Sequence, residues 1–234
     1  MAKVIIRPLK LADVSAAVEV ERAAWSPPWP QEYIFDERHL VSQIEVFQEG
    51  LLGAFIDGRI AGFVTSEIVD SELVESVDTW DQMTDCGYIR RTHDPRGDTM
   101  YGVNLSVHPR APKSIAEQLL FAGGRLAIKK SLKRIVLGGR LPRYYRYADE
   151  MTAEEYIAAS RSRTGKPLDP ELYMYIKAGL KVIRVLPDYI PDPESMNYGV
   201  LLEWKNPFYP ITRWCKALAL LLSYLVQFAP GVPL

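Results

Sequence analysis

The stretch from Lys113 to Lys130 constrains the fold of this chain most. Ile115, Leu119, Leu120, Leu126 and Ala127 recur at the spacing of one helical face, and Pro112 stands where a missing N–H costs little. The segments around it are of another kind. Val4 to Ile6, Leu51 to Ile56, Ile60 to Ile68, Tyr101 to Val107, Arg134 to Leu137, Lys181 to Leu186 and Tyr198 to Trp204 are apolar or β-branched runs of strand length. Asp57-Gly58-Arg59 joins two of them as a hairpin, and Gly138-Gly139 closes the fifth. A helix is expected from Asp13, with Val14, Ala17, Val18 and Glu21 at helical spacing, and another from Asp36 to Phe47. Thr152 and Glu155 fit a capping box for a helix reaching Arg161, and Asp169-Pro170-Glu171 starts one that runs through Tyr175 to Gly179. Elements in this order describe a mixed α/β (α+β) chain with a central, largely antiparallel sheet of about seven strands flanked by helices.

Composition narrows the function. The chain has 234 residues, is 48% apolar and 24% charged, and carries a net charge of −1. That length supports one large buried core, and near-neutral charge argues against nucleic acid as a partner. Collagen, coiled coil and multi-span membrane architectures do not fit this composition. Cys86 and Cys215 form neither a metal pattern nor a disulfide scaffold, and the N-terminus shows no export signal, so a cytoplasmic location is expected. Between Val69 and Asp98 the periodicity lapses. This stretch, with Trp80, Met83, Cys86, Tyr88, Arg90 and Arg91, reads either as a lid over a substrate or as a loop packed for stability. From Trp214 to Phe228 the chain is apolar around nearly the whole circumference of a helix, yet short of the ~20 residues that span a bilayer.

The element order, together with Glu45-Val46-Phe47-Gln48-Glu49-Gly50, His93-Asp94-Pro95-Arg96-Gly97-Asp98, Gly138-Gly139-Arg140-Leu141-Pro142, Tyr147-Ala148 and Leu186-Pro187-Asp188-Tyr189, resembles the GNAT (GCN5-related) N-acetyltransferase family. It looks closest to GNAT domains fused to, or found beside, carbon–nitrogen hydrolases. The resemblance covers most of residues 3 to 207 and implies a GNAT-like domain over 1–207; residues 208–234 fall outside it and read as a separate C-terminal apolar helix. It implies acetyl-CoA as cofactor, and a small-molecule or protein amine as acceptor. A non-catalytic acyl-CoA-sensing or assembly module is the alternative.

Site residues follow from the same resemblance. The family's phosphate turn corresponds to the segment from Val107 to Ala116, with Ser114 and Ala116 at its glycine positions. Arg110 and Lys113 supply charge, and Ile115 completes the helix start, where free N–H groups and the dipole favour phosphate. Leu105, Ser106 and Val107 are named for the cofactor by position on the strand, whose backbone N–H groups would face the oxyanion. Tyr175, four residues before Gly179, occupies the place of the family's general acid; a core tyrosine is the other reading. Glu67 and Asp98 are the candidate bases, with His93 a further titratable group and His108 a structural one. Arg140, Arg143 and Arg146, interleaved with tyrosines, are assigned to cofactor phosphates, an anionic acceptor or carboxylates such as Asp149 and Glu150. No metal site is expected. The tail over 211–228 suggests a homo-oligomer or self-docking, with peripheral membrane contact as the alternative.

Overall fold

The computed structural model describes residues 3–225. Its strands are β1 (Val4–Pro8), β2 (Leu51–Ile56), β3 (Arg59–Val69), β4 (Thr99–Val107), β5 (Arg134–Arg140), β6 (Lys181–Leu186) and β7 (Gly199–Lys205). They form one sheet in the order β1-β2-β3-β4-β5-β7-β6. Every pairing is antiparallel except β4 with β5. The β2–β3 hairpin turns on Asp57 and Gly58, both at positive φ (49° and 78°), the pair of conformations a tight two-residue turn requires.

The helices are α1 (Val14–Ala24), α2 (Glu37–Phe47), α3 (Ser71–Ser76), α4 (Trp80–Thr84), α5 (Ser114–Lys129), α6 (Ala153–Ala158), α7 (Pro170–Lys177), α8 (Tyr209–Thr212) and α9 (Lys216–Leu225). Their starts are where side-chain chemistry puts them. Asp36, Asp70, Thr79, Thr152 and Asp169 each accept a hydrogen bond from a backbone N–H of the first turn, and Pro170 opens α7. α5 carries the chain from β4 to the parallel β5, and Ile115, Leu119 and Ala122 pack it on Leu52, Ala54, Ala61 and Val64. α1 and α2 belong to the larger core on the other side of β3 and β4.

One expectation needs correction. β5 does not stop before Gly138-Gly139; both glycines lie within the strand, paired with Leu201 and Val200 of β7. The stretch after Val69, expected as a lid or as a loop packed for stability, is partly ordered: α3 and α4 occupy its first half, and Trp80, Met83 and Ile89 are buried. Its apolar side chains were too few and too irregularly spaced to show a period, but tertiary burial suffices to order them.

α9 lies on α5, burying Ala219 and Ser223, while Ser131 donates to the carbonyl of Thr212 beside it. Trp214, Leu220, Leu221, Tyr224 and Leu225 remain exposed. The rest of the apolar tail, from Val226 on, lies outside the described residues. No described helix is long and apolar enough to cross a membrane.

Candidate active site

The parallel pairing of β4 and β5 runs only from Thr99–Arg134 to Gly102–Leu137. Beyond that point the strands part. A cavity of about 310 Å³ occupies the gap and reaches both faces of the sheet. On the α5 face its wall includes Leu105, Val107, Ala116 and Leu119, with Tyr175 of α7; on the α1 face it includes Glu21, Trp25, Trp29 and Trp80.

Strand alternation orients the gap's edge. The N–H of His108 bonds to the carbonyl of Ala61, towards β3, whereas the carbonyl of Val103 accepts the Trp80 indole N–H at 2.9 Å across the opening. Backbone groups of a strand point to alternate edges, so those of Leu105 and Val107 turn, like that of Val103, to the cavity. Side chains alternate too. Ser106 therefore sits on the α1 side, buried, with its hydroxyl committed to Trp25 and Glu21; its backbone, in step with that of His108, faces β3, so the cofactor role expected of it has no group to serve it.

At the α5 entrance Arg110, Lys113 and Ser114 are exposed. The N–H of Arg110 bonds to Nδ1 of His108 and that of Ala111 to its carbonyl, so His108 shapes the turn. The N–H of Ile115 is taken by the carbonyl of Pro112, and its side chain packs against Gly62 in the core, so Ile115 is not a phosphate donor. The N–H groups of Lys113, Ser114 and Ala116 find no backbone acceptor among the described residues. Two basic side chains beside such donors fit a phosphate group.

Tyr175 lies over Gly139, where a Cβ would come within 3.1 Å of its ring. Burial, and then the nearby Glu171 carboxyl, raise its pKa above the ordinary phenol value, so it is protonated at neutral pH. Gly138 does the same on the other face: a Cβ there would overlap Tyr189, whose hydroxyl meets that of Tyr101 at 2.9 Å.

Neither candidate base reaches the cavity. Glu67 is sealed under Thr92, whose hydroxyl donates to Oε2 at 2.6 Å; burial raises its pKa to about 8. Asp98 lies at the start of β4, below the gap, bonded by Ser71 and Thr99 and close to Lys133. Partial burial works to raise its pKa, but those hydrogen bonds and that charge prevail and lower it. His93 accepts from the N–H of Ile68 and stacks on Phe47, and burial lowers its pKa. Each is held by its surroundings as part of the fold.

The carboxyl that does border the cavity is Glu21, at 1% exposure. It accepts from the Ser106 hydroxyl at 2.5 Å, the Asn104 amide at 2.9 Å and the N–H of Phe35 at 3.3 Å. Burial outweighs these bonds and raises its pKa to about 7. One signal was present in the chain: an acidic residue on the apolar stripe of a helix, in step with Val14 and Val18. Arg140 lines the same cavity, over the rings of Trp25 (5.5 Å) and Trp29 (4.9 Å). Its carboxylate partners are Asp192, Glu194 and Glu171, not Asp149 or Glu150.

No family model matches the chain. Among curated proteins, the uncharacterized N-acetyltransferase YkwB of Bacillus subtilis is 40% identical over 205 residues, covering 87% of this chain and 89% of that protein. The chain belongs to the GNAT N-acetyltransferase family. A second relative of this GNAT chain, the probable hydrolase YhcX of Bacillus subtilis, is 34% identical over 211 residues; these cover 88% of the chain but only 39% of the relative. Among solved structures, the GNAT-like decarboxylase GphF in complex with isobutyryl-CoA superposes with a TM-score of 0.70 at 21% identity, over 86% of this chain and 99% of its own. At that identity the likeness is one of fold, and the fold is that of the GNAT enzymes.

Proposed function

We propose that this GNAT protein transfers the acetyl group of acetyl-CoA to a primary amine by direct attack, with Tyr175 as the general acid. The observation that carries this reading is the cavity through the β4–β5 gap, which joins a phosphate-compatible helix start on one face to a carboxyl-bearing chamber on the other. Lys113, Ser114, Ala116 and Arg110 would hold the pyrophosphate, and Leu105 and Val107 would flank the pantetheine arm. When bound, the thioester supplies an activated acetyl carbon in the gap. Backbone N–H groups at Leu105 and Val107 then meet the charge that develops on the carbonyl oxygen. The Tyr175 hydroxyl protonates the departing sulfur, whose thiol is far more acidic than a buried phenol but needs a proton delivered at the site.

GphF is named as a decarboxylase; at 21% identity its likeness to this chain is one of fold and does not carry that activity over.

In the test, saturating acetyl-CoA raises Tm, about 2.7 kcal/mol of added stability at a hundred times Kd, and an amine panel releases free thiol. Tyr175→Phe lowers kcat about a hundredfold with acetyl-CoA affinity unchanged. Binding without turnover across the panel would instead identify an acyl-CoA sensor, and unchanged kcat would remove Tyr175 from the reaction. The exposed apolar face of α8 and α9 supports a homo-oligomer, with a membrane surface as its competitor.

A further inference from the structure

We propose that the chamber on the α1 face admits its acceptor as a single amine carried on a flat apolar body, and that Glu21 is the base that takes the amine's proton. This deepens the amine-acyltransferase reading and rests on it.

The hydrogen bonds around Glu21 hold its ionised form as an acceptor. The Trp25 indole can only donate, and it donates to the Ser106 hydroxyl at 2.6 Å, so that hydroxyl must pass its own hydrogen onward. It does so to Oε2 of Glu21, where Asn104 also donates, while the N–H of Phe35 donates to Oε1. All three partners offer hydrogens. Ionised, Glu21 thus meets only donors on its protein side, and the cavity it borders is the side from which it takes a proton.

The charged surroundings single out the same group. β4 brings only Asn104 and Ser106 against Glu21; the α1–α2 connection brings Phe35, backed by His39 of α2, and Tyr33, whose hydroxyl is bonded to Asp81. Arg140 of β5 is occupied by Asp192, Glu194 and Glu171, and the uncharged Tyr189 hydroxyl is bonded to that of Tyr101. Glu21 is thus the one carboxyl on the chamber's wall without a cationic partner among the described residues. It matches one ammonium, not two. Trp25, Trp29, Tyr33, Phe35 and Trp80 form the rest of that wall, and rings of this kind take an apolar, preferably aromatic, body.

The position suits the chemistry. Glu21 and Tyr175 border the gap from opposite faces of the sheet, so the amine approaches the thioester carbonyl from the side away from the acid. Glu21 takes one proton from R–NH3+, and the freed nitrogen lone pair forms the C–N bond. The C–S bond breaks with its electron pair on sulfur, which takes the Tyr175 proton. The second N–H proton, lost on collapse, restores the phenol through solvent, and Glu21 returns the first to water.

The test uses the full chain with acetyl-CoA, and 2-phenylethylamine against putrescine. The expected kcat/KM is at least about tenfold higher for phenylethylamine, because putrescine brings a second ammonium into the chamber. With phenylethylamine, kcat/KM rises through a limb near pH 7 and is then flat towards the amine's own pKa. Glu21→Gln removes that limb and lowers kcat/KM about a hundredfold at neutral pH, with the Kd for acetyl-CoA within about threefold. Phenylhydrazine, already unprotonated at neutral pH, loses less than about tenfold in the same variant. Ser106→Ala moves the limb to higher pH, since the lost bond is one that holds the Glu21 pKa down.

A kcat/KM that climbs unbroken to the amine's pKa, Glu21→Gln within threefold of the parent, or equal use of putrescine overturns this inference while leaving the acyltransferase intact. Acetyl-CoA binding with no thiol released from any amine overturns the broader reading, and this one with it.

Discussion

Glu67 and Glu21 are both carboxyls closed off from water, and the difference between them is a matter of what borders each. Glu21 meets the cavity and three donors; Glu67 has the Thr92 hydroxyl on one oxygen, and its other oxygen finds no partner among the described residues. Its proton is therefore a property of folding. In the unfolded chain the group ionises near the ordinary glutamate value of 4.5, but in the fold only at about pH 8. The native state holds more protons across that window, so stability falls as pH rises through it. Glu67→Gln, neutral at every pH, should raise Tm relative to the parent progressively from pH 5 to pH 8. Thermal scans of both proteins over that range check it, and a difference flat in pH would refute the assignment. Tyr175, which the fold places on the cavity wall, was legible as a candidate from its distance to Gly179; Glu21 was visible only as one more residue on a helical face. A sequence shows that a side chain points inward but not whether it meets a wall or an opening.

At the scale of elements, the gap between β4 and β5 organises everything else. α5 was legible as a helix from its periodicity, and Pro112 marked its start. What periodicity could not reveal is which N–H groups the turn leaves over. Pro112 lends its carbonyl to Ile115, and the donors that remain sit beside Arg110 and Lys113. Arg110→Ala and Lys113→Ala should each weaken acetyl-CoA binding about three- to tenfold at low salt, with the loss shrinking as ionic strength rises. Titration calorimetry at two salt concentrations measures this; a salt-independent effect would place the phosphates elsewhere. β5 teaches a related lesson. Gly138-Gly139 has the composition of a turn, but β7 pairs with both residues, and their missing side chains make room for Tyr189 and Tyr175.

At the scale of the whole molecule, the C-terminal segment sets the remaining question. α9 rests on α5 but leaves Leu220, Leu221, Tyr224 and Leu225 in water, next to Trp214 at 79% exposure. Burying such a face in a second copy would gain about 25 cal/mol per Å² of apolar area. Sedimentation of the full chain should show a species of twice the monomer mass, which L221K/L225K reduces to monomer without loss of acetyl-CoA binding. A monomeric parent that pellets with anionic vesicles would favour the membrane surface.

Order and alternation of elements, the caps, the hairpin turn and the family were all written in the chain, because each depends on residues close together in it. The opening between two strands, the carboxyl that faces it and the arginine that three acids silence depend on side chains brought from distant segments. Their protonation and pairing follow from burial and distance, quantities that exist only once the chain has folded.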